Sequence, residues 1–216
     1  MQVFSPGLVL ALKIGALGAA AAVIAGLFIW RRYIALEPAI GAPVPQVVPF
    51  SHKHHVGDDG IDCRYCHTSV ANSAFAGIPP LSTCMTCHSQ LFTTAPVLAP
   101  LRAAFAGGRA LTWNRVNQLP DFVYFDHSIH IAKGIGCSSC HGRIDQMPLT
   151  ERQAPLSMQW CLGCHKDPES QLRPPSQIFN MSWRPAANQQ ELGRRLRAFY
   201  HLHSTRLLTS CSTCHR

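Results

Sequence analysis

At 216 residues the chain has room for one or two ordinary domains, and its 19 lysines and arginines against 11 acidic residues leave a formal net charge of +8. A basic balance of this kind raises nucleic acid or an anionic membrane surface as partners. The ten cysteines all fall in five units of one form, so none is left over for any other use.

The first element is apolar. From Ile14 to Trp30 the sequence IGALGAAAAVIAGLFIW is uninterrupted, and with Leu8 to Leu12 around Lys13 it reaches the length of a bilayer-spanning helix. Trp30, Arg31, Arg32 and Tyr33 follow at once, a cluster suited to a headgroup boundary. A cleaved signal peptide is the competing reading. The run is long for that, and its small residues sit inside it instead of beyond it, so residues 1–36 are expected to be a retained anchor. Residues 37–49 (EPAIGAPVPQVVP) hold four prolines and no helical pattern, which predicts an extended linker.

The rest of the chain, 50–216, repeats itself. Phe50-Ser-His52-Lys-His54-His55 precedes Cys63-Arg-Tyr-Cys66-His67 and Cys84-Met-Thr-Cys87-His88. Phe125-Asp-His127-Ser-Ile-His130 precedes Cys137-Ser-Ser-Cys140-His141 and Cys161-Leu-Gly-Cys164-His165 in the same way, and Pro-Leu-Ser stands before the second unit of each block. Residues 50–88 and 125–165 are therefore an internal repeat. A half copy, 199–216, closes the chain: Phe199-Tyr200-His201 leads to Cys211-Ser-Thr-Cys214-His215, and His201 lies ten residues before its cysteine, as His127 does.

The connectors are less regular. Residues 90–121 contain Pro96, Pro100, Pro120 and a Gly107-Gly108 break, with one short helix expected near Leu98 to Ala106. Residues 167–187 carry Pro168, Pro174, Pro175 and Pro185 and no strand alternation. From Gln189 to His201, Leu192, Leu196 and Phe199 have helical spacing, with Arg194, Arg195 and Arg197 around them.

Cys-x-x-Cys-His is the attachment unit of c-type haem: two thioethers fix the porphyrin, and the adjacent imidazole reaches the iron. Zinc also takes Cys-x-x-Cys pairs, and a disulfide framework also uses many cysteines, but neither calls for a histidine after every second cysteine. Five covalently bound haem c groups are expected, on Cys63/Cys66, Cys84/Cys87, Cys137/Cys140, Cys161/Cys164 and Cys211/Cys214, with His67, His88, His141, His165 and His215 as proximal ligands. The haem propionates would offset the basic balance, so no nucleic-acid partner is expected. The fold class that follows is a multihaem cytochrome c, haem-cored and mostly coil with short α-helices, plus one N-terminal transmembrane helix.

Of the seven remaining histidines, five stand in register with the repeat: His52, His55, His127, His130 and His201. They are the expected distal ligands, since axial ligation is the common use of histidine beside haem iron. His54 and His203 are spares. Met147 and Met158 are rivals for one distal site, although packing against porphyrin is the plainer use of a methionine. Two axial side chains per iron leave no position for substrate, so no catalytic residue is assigned and electron transfer is expected instead of catalysis. Multihaem nitrite reductases are the enzymatic comparison, but the Cys-x-x-Cys-Lys unit their catalytic haem resembles is absent.

The Phe-x-His-x-x-His arrangement resembles that of the cytochrome c3 class. The resemblance implies that His52, His127 and His201 ligate the first, third and fifth haems, with His55 and His130 on the second and fourth in an order left open. A more specific likeness lies in His127 to His130, Cys137 to Pro148, Pro155 to His165 and Leu208 to Arg216: the chain resembles the pentahaem cytochrome c subunit of bacterial alternative complex III. That implies a haem wire in a complex that oxidises membrane quinol and passes electrons to a periplasmic acceptor. The implied partners are an iron–sulfur subunit related to molybdopterin oxidoreductases, polytopic quinol-binding membrane subunits and a monohaem cytochrome c. A self-sufficient, membrane-anchored quinol dehydrogenase feeding periplasmic reductases is the alternative. Arg31 and Arg32 alone would put the C-terminal side in the cytoplasm. Haem attachment, as the resemblance to c-type cytochromes implies, takes place outside the cytoplasmic membrane, so the haem part is expected on the periplasmic face.

Overall fold

The computed structural model describes residues 5–36 and 40–215, the side chains of 32–36 excepted. The expected anchors Arg32 and Tyr33, positions 37–39 of the expected linker, and Arg216 thus lie outside the described residues or side chains. The chain divides into two units, Met1–Ala39 and Ile40–Arg216.

In the first unit one helix, α1 (Pro6–Leu36), runs for 31 residues. Pro6 sits at its first turn, where its missing N–H costs nothing. Apolar side chains surround the whole circumference: Leu12, Leu17, Val23, Ile24 and Phe28 are all exposed. A helix apolar on every side needs an apolar medium, and the stretch Pro6–Arg31, with mean hydropathy 2.2, is long enough to cross a bilayer.

In the second unit, helices are short and the described residues form no strand, only the isolated bridges Pro43 to Glu151 and Ile135 to Leu172. They are α2 (Cys63–Cys66), α3 (Leu81–His88), α4 (Ala99–Ala106), α5 (His127–Ala132), α6 (Ser138–His141), α7 (Met158–Lys166), α8 (Gln189–Phe199), α9 (Thr205–Leu208) and α10 (Cys211–Cys214). A π-helical turn covers Lys53–Asp58. The expected connector helix is α4, entered by a 3-10 turn at Pro96–Leu98.

The protein's own core is small: Leu172, Leu196 and Tyr200, with Ile135, Leu192 and Leu202 packed on them. It is built by α8 lying on the turn 168–173. Gly193 meets the Glu169 backbone so closely that a Cβ would stand 2.7 Å from its Cα. Gln189 Nε2 donates to the carbonyls of Glu169 and Leu172, both at 2.9 Å, and Arg197 pairs with Glu169 at 2.7 Å. The spacing predicted a helix carrying Leu192, Leu196 and Phe199. Leu192 and Leu196 do face the core, but Phe199 is 61% exposed and Tyr200 is buried in its stead. Its hydroxyl donates to the Arg173 carbonyl at 2.8 Å, and its ring fills the space over Gly134, whose φ of +81° suits glycine.

Residues 40–49, expected as a linker leading away, are extended but not free. Gly41 N–H donates to Arg152 O at 2.8 Å and Val44 N–H to Thr150 O at 3.1 Å. Gln46 and Asn114 exchange hydrogen bonds, and Val48 is buried. The prolines keep this stretch out of a helix while leaving the N–H groups of Gly41 and Val44 to pair.

Candidate haem sites

Each Cys-x-x-Cys-His unit folds onto a short helix, α2, α3, α6, α7 or α10. The i, i+3 spacing turns both sulfurs to one face. Two of these helices start on side-chain caps: Asp62 accepts from Arg64 N–H and Ser157 from Trp160 N–H. All ten thiols are unbridged. Among the described residues no three His, Cys, Asp or Glu groups converge as zinc requires. Burial pushes the Cys137 thiol up to about 11 and the Cys140 thiol up to about 12.

The imidazoles are arranged in pairs. His52 faces His67 with ring centres 6.5 Å apart and planes 10° apart; His127 faces His141 at 6.4 Å and 7°. His55 lies 6.1 Å from His88, and His130 lies 6.2 Å from His165. Two metal–imidazole bonds of about 2 Å, plus a ring radius on each side, put ring centres roughly 6 Å apart. The four pairs therefore fit an iron between them, with a porphyrin held by the neighbouring cysteines.

The other ring nitrogen is occupied. Nδ1 of His67 reaches Gly77 O at 2.7 Å, His165 reaches Leu208 O at 2.8 Å, and His215 reaches Phe122 O at 3.1 Å. His55 reaches Ser51 O at 2.8 Å, His127 reaches Ala74 O at 2.8 Å, and His130 reaches Asp126 O at 2.7 Å. His88 makes a longer contact to Leu91 O, 3.3 Å, and His52 meets Thr150 Oγ1 at 3.0 Å. The Asn117 amide lies 3.2 Å from Nδ1 of His141 and, turned over, presents Oδ1 as the acceptor. A proton fixed on Nδ1 leaves the Nε2 lone pair for a metal. Burial lowers His52 and His141 to about 4 and also lowers His130, which favours the neutral form of those three rings.

The two copies of the repeat share one geometry. Phe50 lies edge-on to His52 at 4.9 Å and stacks on His55 at 4.4 Å; Phe125 does the same to His127 at 4.7 Å and His130 at 4.5 Å. Asp126 caps α5, accepting from Ser128 N–H at 2.8 Å, Ile129 N–H at 3.3 Å and Ser128 Oγ at 2.6 Å. Asp126→Ala is expected to cost about 1 kcal/mol and to loosen both histidines of α5, read as a lower unfolding midpoint and a broadened low-spin haem spectrum. The Ser128 hydroxyl holds the Asp126 carboxyl below its ordinary value. Its contribution is therefore full above the unfolded pKa of about 4 and fades as pH falls through the folded one.

The half copy does not follow. His215 has Phe122 as its ring neighbour, 5.8 Å away, and among the described residues no ring contact joins it to His201. His201 is exposed and takes φ +49°. In the full copies Phe-x-His leads into a helical turn, whereas Phe199 ends α8, so the same letters sit on a different backbone. Of the spares, His54 turns Nε2 toward Asp59 at 3.5 Å, and the His203 carbonyl accepts from Arg197 at 2.6 Å. Met147 is buried, with its carbonyl on Lys53 N–H; Met158 is exposed.

Neighbouring units are also readable. Tyr65 and Thr86, inside the first and second units, meet at 3.0 Å, and Cys84 adds to the upward push on Cys66. Cys63 acts on Cys137, Cys164 and Cys161 act on Cys140, and Cys214 acts on Cys161. Sequence reasoning missed the Nδ1 acceptors, most of which are backbone carbonyls that carry no residue signature.

Residues 123–216 match the family model of cytochrome c7 and related cytochrome c. Over 175 residues the chain is 29% identical to the multihaem cytochrome c subunit of a menaquinone reductase from Nitratidesulfovibrio vulgaris, covering 79% of this chain and 77% of that protein.

Proposed function

We propose that this multihaem cytochrome c, a cytochrome c7-like fold of short helices and coil, carries five haems and serves as the electron-transfer subunit of a membrane-bound quinone oxidoreductase. The observation that carries the reading is the set of four histidine pairs at iron-sandwich spacing beside four of the five attachment units. When bound, haem c supplies a one-electron iron couple at each unit. The chain's own residues do the rest. The cysteines hold each group covalently, and the paired imidazoles supply two ligands at four units. His215 is the proximal ligand of the fifth, with His201 as the candidate for its sixth position. α1 serves as the membrane anchor, with the haem part on the periplasmic face.

The finer assignment is to alternative complex III, with quinol as donor, a periplasmic acceptor, and an iron–sulfur subunit, polytopic membrane subunits and a monohaem cytochrome c as partners. A second reading reverses the direction and makes this chain a subunit of a quinone reductase; the similarity to the menaquinone reductase subunit favours it. Purification in mild detergent tests the proposal. A multi-subunit complex with five haems per copy of this chain is the expected result, and assays with quinol and with quinone set the direction. Quinol oxidation by the isolated chain would overturn the complex in favour of a self-sufficient dehydrogenase.

A further inference from the structure

Arg173 is 2% exposed, and among the described residues no carboxylate pairs with it. Its guanidinium is held by neutral groups. Nη2 donates to Ser138 Oγ at 2.9 Å and Ser139 Oγ at 3.0 Å. Nη1 donates to Asn180 O at 3.2 Å, Nε has no acceptor, and the Trp183 ring lies 4.2 Å from the guanidinium carbon. Ser138 and Ser139 are the two residues between Cys137 and Cys140, so the cation is clamped to the third attachment unit. Gly136, just before that unit, leaves room for it: a Cβ there would stand 2.5 Å from Arg173 Nε.

A buried charge without a counter-charge is costly. Two nearby arginines are paired with carboxylates: Arg197 has Glu169, and Arg143 has Asp145. Arg173 alone of the three has only hydroxyls, a carbonyl and an aromatic face. Such groups orient a cation without neutralising it, and low dielectric lets its field reach the neighbouring group.

We infer that Arg173 is a fixed positive charge that sets the potential of the third haem unit, holding its reduced state more stable than bis-histidine ligation alone would. The reduced iron carries one less positive charge than the oxidised iron, so a nearby cation without a protein counter-charge favours reduction. The inference rests on haem occupying the third unit. Arg173 is a tuning residue here and not a ligand.

The test is a potentiometric titration of the full-length, detergent-solubilised holoprotein and its Arg173→Gln, Arg173→Met and Arg173→Lys variants, each with its haem-to-protein ratio measured first. A reduced ratio in the wild-type chain would remove the haem reading itself and is thereby told apart from failure of this inference. With five haems retained, Gln and Met are expected to lower the potential of one haem equivalent. The shift should reach at least tenfold in its reduced-to-oxidised ratio, about 59 mV for a one-electron couple, and Lys should hold it near the wild-type value. Met fills the volume without unpaired polar atoms and is read where Gln disturbs folding. The inference is overturned if no wave moves in either neutral variant. It is overturned equally if Lys moves the wave as far as Gln does, or if neither neutral variant loads haem, since each assigns Arg173 to structure alone.

Discussion

Alanine in place of His130 is expected to leave one haem equivalent high-spin and open to carbon monoxide, while alanine at His54 leaves the spectrum unchanged. His130 has His165 as its ring partner at 6.2 Å, its Nδ1 is fixed on Asp126 O, and Phe125 stacks on its face. His54 has its Nε2 toward Asp59 instead. A carbon monoxide difference spectrum of the reduced full-length protein reads the effect. The pairing with the fourth unit is checked in a Cys161→Ala/Cys164→Ala background, where His130→Ala should add nothing, because residues serving one site are not additive. A fully low-spin His130→Ala protein, or an undiminished signal in that background, sinks the pairing.

The second large effect is Gly193→Ala. In an open helix this exchange stabilises by up to about 1 kcal/mol. At 193 the added methyl would meet the carbonyl oxygen of Glu169, with that residue's Cα and carbonyl carbon both at 2.7 Å. Backbone cannot swing aside as a side-chain tip can, so α8 must lift. Lifting weakens the Gln189 and Arg197 contacts and unpacks Leu196 from Leu172. Overpacking costs of about 1–3 kcal/mol are typical, and the loss of these contacts places the expected value at the upper end. The denaturant midpoint of the holoprotein measures it against Arg194→Ala, an exposed change in the same helix expected to stay within about 0.5 kcal/mol. A Gly193→Ala midpoint at or above wild type contradicts the docking of α8.

Much of the fold was legible because chemistry forces it. Cysteine spacing announced five Cys-x-x-Cys-His turns, each of which lies on a short helix, the 75-residue offset between Phe50 and Phe125 announced a repeat, and an unbroken apolar run announced α1. The resemblance implied His52 for the first unit and His127 for the third, and left open the order of His55 and His130 on the second and fourth; the ring geometry sets His55 beside His88 and His130 beside His165. What failed was reasoning that treated a three-letter pattern as a backbone conformation. Phe199-Tyr200-His201 has the letters of the repeat, but Tyr200 is drawn into the small core by the Gly134 gap and the Arg173 carbonyl, and His201 is left exposed. The docking of 40–49 was equally invisible, because its partners at 150–152 lie far off in the chain and bind it through main-chain atoms. Arg173 had no motif at all.

The reliance on main-chain acceptors bears on how this chain can drift. The rings of His67, His127, His165 and His215 are oriented by the carbonyls of Gly77, Ala74, Leu208 and Phe122, and every amino acid offers that atom. Mutation at those four positions can change the side chain and still leave the acceptor in place, provided the backbone path is kept. Gly77, at φ +84°, is the one of the four whose path itself restricts the choice. Descendants of such a chain can therefore diverge around these histidines with the orientation of their rings intact. What natural selection has to guard is the course of the loops and the cysteines and histidines themselves.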